Sequence, residues 1–142
     1  MKTPRSTFLS ALRARISPDE RAWLEAGDHP GLSRYNRQTL LRMLGHDAVK
    51  PGLVDGERAA SLEAALQSYL DRYMADQPQG HRWIVLSCLY LVFVAEEPMH
   101  PQPIVHWTRV DGGYVCPTRE DGEGSLCRWC VCRGAAEAPP AQ

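Results

Sequence analysis

Apolar positions recur at helical spacing through the first two thirds of the chain. Between 56 and 75, Leu62, Leu66, Tyr69 and Tyr73 return every three or four residues. That spacing predicts an amphipathic helix with those four side chains on its inner stripe. Between 34 and 45, Leu40, Leu41 and Leu44 make a second apolar side, with Ser33 placed to cap its start and Gly45 to end it. Ser17-Pro18-Asp19-Glu20 reads as another helix start. The serine can cap, proline suits the first helical position, and Glu20 can reach back to close a capping box. Ala22, Trp23 and Ala26 would supply its apolar side and Gly27 its stop. A short helix over 5–15 precedes it. Pro51-Gly52 marks a loop, and Asp76-Gln77-Pro78-Gln79-Gly80 breaks the 56–75 helix.

The run Trp83 to Val94 is apolar all round. Its β-branched content would suit a central strand. Its length, and the lack of a second good strand to pair with, favour a central helix over 81–96 on which the amphipathic helices pack. The texture changes at Pro98, where Pro98, Pro101 and Pro103 exclude a regular helix. Asp111-Gly112-Gly113 lies between Trp107–Val110 and Tyr114–Cys116, the pattern of a short hairpin. A polar loop, 119–125, follows. The expected fold class is therefore mainly α: a small helical bundle over 1–97, a cysteine-rich metal-binding cap over 98–133 containing the hairpin, and a flexible Ala/Pro-rich tail over 134–142. A cap of that size buries little by itself, so it needs a staple or must dock on the helical body.

Composition changes this picture only where chemistry enters. The 142 residues are 44% hydrophobic and 23% charged, with 16 basic and 17 acidic side chains. That balance suits a globular chain and gives no basic excess of the kind nucleic-acid binders carry. The locally basic start, with Lys2, Arg5, Arg13 and Arg15, reads as a solvated helix face. The first fifteen residues lack the apolar core of a signal peptide, and the run Ile84–Ala95 is too short to cross a bilayer. A cytoplasmic protein with no membrane partner is expected. In that compartment structural disulfides are rare, so the five cysteines need another explanation.

Four of the five, Cys116, Cys127, Cys130 and Cys132, fall inside the cap. The two-residue gap in Cys127-Arg128-Trp129-Cys130 lets two thiolates turn onto one tetrahedral ion, and Cys116 can close back over the loop. Cys132 is one candidate for the fourth ligand. His100 and His106 are the alternatives, because imidazole beside three thiolates is ordinary zinc chemistry. The spacing favours Zn2+ over a 4Fe–4S cluster, since the usual ferredoxin spacing is absent. A redox dithiol would want a helix start in an α/β fold, which the sequence does not offer. Cys88, inside the apolar run, reads as core packing.

Glu96-Glu97-Pro98-Met99-His100 leads from the central helix into the cap. Two carboxylates at a helix C-terminus oppose the helix dipole. One could orient a ligating imidazole, or Glu96 or Glu97 could act as a base beside a metal-bound water. Arg109, Arg128, Trp129 and Arg133 surround the cysteines. Trp129 is expected to cover the metal site while the arginines stay solvated, so nucleic acid is a possible partner but not the favoured one. The sequence thus supports a structural metal in a protein acting through an unidentified protein partner. A metal-dependent hydrolase and an iron–sulfur protein are the alternatives.

Three pieces carry a family resemblance. Leu89 to Pro101, with its closing Glu97-Pro98-Met99-His100-Pro101, is similar to an apolar helix ending in a Glu-Pro-(Ile/Met)-His-Pro element. Gly113-Tyr114-Val115-Cys116-Pro117 is similar to a Tyr-Cys-Pro element, and Cys127-Arg128-Trp129-Cys130 to a closing Cys-x-x-Cys. Together they resemble the UPF0305 group, also called DUF2115, of uncharacterised proteins from methanogenic archaea. The resemblance implies an archaeal source and no mechanism. It implies Cys116, Cys127, Cys130 and, less directly, His100 as the inherited ligand set. Cys132 is additional to the family pattern, and a glycine-rich Phe-Pro-Gly segment expected after His-Pro is missing here.

Overall fold

A computed structural model describes residues 1–100, 108–116, 119 and 125–133, with the side chains of Val110 and Arg133 excepted. Strand β1 (Lys2–Pro4) leads into α1 (Arg5–Ala14), α2 (Pro18–Ala26) and α3 (Arg34–Leu44). Then come β2 (Leu53–Asp55), α4 (Gly56–Tyr73) and α5 (His81–Tyr90), which runs on as a π-helical segment, Leu91–Ala95. Strands β3 (Thr108–Val110) and β4 (Gly113–Val115), a 3₁₀ turn at Cys127–Trp129 and β5 (Cys132–Arg133) complete the described elements. His106, Trp107, Pro101, Pro103, Pro117, the loop 120–124 and the tail 134–142 lie outside the described residues.

The mainly helical expectation holds, and its local reasons are visible. Ser17 accepts from the Glu20 backbone N–H while Glu20 accepts from Ser17 N at 2.9 Å, the full capping box. Ser33 caps α3 through Asn36 N, and Asp55 caps α4 through Glu57 N and Arg58 N. The all-apolar run is a helix, buried on every side, with Val85, Leu86, Leu89 and Tyr90 in the core. It packs against α1, α3 and α4.

Two apolar faces differ from the sequence expectation. On α4 the inner stripe is Ala59, Leu62, Leu66 and Leu70. Tyr69 and Tyr73 lie outside it, 43% and 62% exposed, with their rings 4.8 Å apart. The offsets 59, 62, 66 and 70 keep one face turned inward, and a phenol tolerates the water that a leucine does not. On α2 the buried residue is Leu24. Trp23 instead stacks on His29 at the surface, ring centroids 3.7 Å apart, and on Trp83.

The basic amino-terminal segment also differs from the expected solvated face. Arg5 is largely buried and donates from Nε to Phe93 O at 3.1 Å, closing the carbonyl end of the α5 extension. Gly52, at φ +148°, lets that guanidinium pass, for a Cβ there would sit 3.0 Å from an Arg5 nitrogen. Arg13 donates to Met43 O at 2.9 Å and to His46 O, doing the same for α3. Arg37 donates from Nε to Leu24 O at 2.7 Å at the end of α2. The last carbonyls of a helix lack partners within it and carry partial negative charge, so a guanidinium satisfies both needs.

Two short ribbons were not anticipated in full. Strands β1 and β2 pair antiparallel, Thr3 opposite Val54. The expected hairpin is present as β3–β4, turning on Asp111 and Gly112, both with positive φ. That is the turn whose twist suits two-residue hairpins. Strand β5 adds to β4 in parallel, Tyr114 opposite Cys132.

Candidate metal centre

The hairpin, the 3₁₀ turn and β5 deliver the cysteines. Cys116 follows β4 directly, Cys127 opens the 3₁₀ turn and Cys130 follows it, and the parallel pairing of β5 sets Cys132 beside Tyr114 of β4. The turn closes with Cys130 N donating to Cys127 O at 3.0 Å, and Cys127 N donates to Ser125 Oγ at 3.2 Å. This local winding brings Cys127 and Cys130 to the lining of one cavity.

Cys116, Cys127, Cys130 and Cys132 line one small cavity of about 20 Å³. His100 lines it too, with Pro98, Met99 and Arg119. The volume is on the order of one water or one ion. Cys132 is 3% exposed and Cys116 9%. None of the five cysteines forms a disulfide. Among the described residues, no group of three or more His, Cys, Asp or Glu side chains is arranged to hold a metal ion. The convergence is therefore one of a shared cavity and not of formed coordination. The donor chemistry, soft sulfur with one imidazole, is nonetheless that of zinc, iron–sulfur and Cu(I) sites.

The thiols feel one another. Burial first, then the neighbouring Cys130 as charge and as hydrogen-bond partner, then Cys116, push the Cys132 thiol up to about 12; the Arg119 guanidinium pulls the other way. Arg119 donates to the carbonyls of Cys130, at 3.5 Å, and Cys132. It fixes the backbone on which two of the thiols stand. A lone arginine in a polar loop gave no sequence signal of that role. Cys88 was read as plain core, and it does pack against the core. Burial first, then the charge of Cys130, push the Cys88 thiol up to about 12.

Trp129 is buried, 7% exposed, and belongs to the same hydrophobic core as the helices. Leu126 and Cys130 pack on that core beside it. The exposed Arg128 lies over the Trp129 ring, 4.0 Å from its centroid. Arg109 lies over Tyr114 on the hairpin.

The two acids stand elsewhere. Neither Glu96 nor Glu97 lines the cysteine cavity. Glu96 pairs with Arg5 at 3.2 Å and Lys50 at 3.5 Å, and Glu97 with Arg42 at 2.6 Å. These cations offset the charge that would otherwise oppose the helix dipole. His106 lies outside the described residues.

The family model that matches the chain describes an uncharacterised protein conserved in archaea, DUF2115, and covers residues 32–135. The chain is also 25% identical over 104 residues to the UPF0305 protein MJ0646 of Methanocaldococcus jannaschii, across 68% of this chain. It spans 63% of that relative's length. No solved structure matches. No helix among the described residues is long and apolar enough to cross a membrane.

Proposed function

We propose, for a chain that belongs to the DUF2115 family of proteins conserved in archaea, a metal-stapled helical protein that works through contact with a protein partner. The staple is one zinc ion held by Cys116, Cys127, Cys130 and Cys132, with His100 against it as the alternative fourth ligand. The observation that carries this reading is the meeting of all five side chains on one ion-sized cavity. Buried thiols resist ionisation alone, and a divalent cation supplies the opposite charge that makes thiolates stable there. Closing them onto an ion requires the side chains to adjust, since no three donors among the described residues stand in coordination geometry. Structural zinc binding contributes on the order of 10 kcal/mol, ample for that adjustment.

The ion on this reading is structural. A cavity of about 20 Å³ is on the scale of one ion, which supports a structural role. The hydrolytic alternative needs Glu96 or Glu97 next to the ion, and both carboxylates are held in ion pairs with Arg5, Lys50 and Arg42. Activity then resides in the surfaces the staple organises, in keeping with a cytoplasmic binding protein.

Anaerobic purification followed by elemental analysis and an absorption spectrum tests the proposal. One zinc per chain in a colourless protein is the expected result, with Cys130→Ser losing the metal and Cys88→Ser keeping it. Iron with absorption at about 400 nm would replace zinc by a cluster. A chain that binds neither metal, even when zinc is supplied to reduced protein, would end the staple reading.

A further inference from the structure

A second cleft, of about 450 Å³, lies between the end of α3, the loop after it and the π-helical extension of α5. Its polar lining is Arg42, His46, Lys50, Tyr90 and Glu97; Gly45, Ala48, Val94 and Ala95 make the rest. The size and the few converging polar groups over a small-residue floor are those of a small-molecule site. Two backbone features stand at the same place. The π-helical segment Leu91–Ala95 begins directly after Tyr90, and such segments recur at functional sites. It ends at Glu96, a non-glycine residue held in the left-handed region at φ 54°.

The hydrogen bonds give the lining a direction. His46 Nε2 lies 3.2 Å from Ala48 O, an acceptor, so that nitrogen carries the ring proton. His46 Nδ1 is then the acceptor for the buried Tyr90 hydroxyl at 2.7 Å. Arg42 in turn stacks over the Tyr90 ring and pairs with Glu97. The imidazole, phenol and guanidinium are thus held in fixed orientations on the wall of an open cleft.

Charge decides what the cleft would take. Its ion pairs join the cations Arg5, Arg42 and Lys50 to the carboxylates Glu96 and Glu97. Two helix ends open here, which would ordinarily repel an anion. Arg13 covers the carbonyls of α3 and Arg5 that of Phe93. Of the side chains lining the cleft, Arg42 and Lys50 are cations and Glu97 is the carboxylate, while Asp47 on the same loop is exposed and outside the lining. Lys50 is 74% exposed with its ammonium able to leave Glu96 for a ligand. We propose that this cleft binds a small anionic molecule, its carboxylate or phosphate held by Lys50 and Arg42, with His46 and Tyr90 set against it.

The test is an NMR titration of the full chain as purified, reading the His46 ring signals against sodium phosphate and, separately, sodium acetate at constant ionic strength. At least one probe gives a saturable shift with a dissociation constant in the millimolar range, and Lys50→Met weakens it by about tenfold. Arg15→Met, a surface cation paired with Glu63 far from the cleft, leaves it unchanged. Saturation by acetate alone assigns a carboxylate and by phosphate alone a phosphate. The proposal fails if neither probe saturates by about 50 mM. It fails equally if sodium chloride gives the same shift, or if the two methionine variants behave alike. Lys50→Gln, checked for fold by circular dichroism, repeats the test should Lys50→Met misfold.

Discussion

Replacing Trp129 by alanine probes whether the cysteine segment and the helices share one core. An indole buries roughly 200 Å² in a protein interior, worth about 5 kcal/mol at 25 cal/mol per Å² as an upper bound. Trp129 is 7% exposed, so nearly all of that applies. Losing Arg128 from the ring face removes about 0.5 kcal/mol more, since that guanidinium is exposed. Measured indole-to-methyl losses of about 3–5 kcal/mol set the expectation. For a chain of this length each kcal/mol lowers the melting temperature by about 3 °C, so a fall of about 10–15 °C should follow. Urea melts read by far-ultraviolet circular dichroism give the free energy without depending on tryptophan emission. Tyr73→Ala, at a 62% exposed position, serves as the comparison and should stay within about 1 kcal/mol of the parent. If Trp129→Ala costs no more than Tyr73→Ala, the shared core is wrong. A helical transition with an unchanged midpoint, preceded by a small separate step, would refute it too.

The guanidinium caps and the helix starts give further predictions. Arg13→Met strips donors from Met43 O and His46 O and should cost about 2 kcal/mol in urea melts, whereas Arg34→Met, exposed and paired with Asp28 at the surface, should cost little. Ser17→Ala opens the capping box of α2 and should cost about 1 kcal/mol. Burial first, then the Glu97 carboxylate, raise the Tyr35 hydroxyl above its usual 10.0. Its stabilising share is complete below pH 10 and lost as pH rises through the higher folded value. Glu97→Gln removes the anion, so ultraviolet titration should show the Tyr35 ionisation moving toward lower pH. No movement would mean that burial alone sets it.

The helices were legible because burial writes a period into a sequence. Ser17 with Glu20 and Asp111 with Gly112 were legible for a related reason: each acts within a few residues of itself. What escaped acts across the chain. Strands β1 and β2 have three residues each, too few to show alternation, and they pair over a distance of some fifty positions. Arg5 and Arg13 look like any exposed arginine until a distant helix end is placed beside them. Tyr69 and Tyr73 fit the helical stripe of α4 by spacing, but Ala59, Leu62, Leu66 and Leu70 take the inner face and leave both phenols to water. At the candidate site, the Cys127–Cys130 pair could be read from its gap. That Arg119 would hold the backbone of Cys130 and Cys132 could not.

The arginine caps set a limit on where this molecule can be cut. The recognised family segment begins at residue 32 and so omits β1, α1 and α2. Those elements supply Leu9, Leu12 and Leu24, each almost wholly buried, and the guanidiniums that close α3 and the π-helical extension. An expression fragment trimmed to residues 32–135 would therefore leave carbonyls at two helix ends without donors and open an apolar trough along α5. The segment that the family model matches is smaller than the set of elements that share this core.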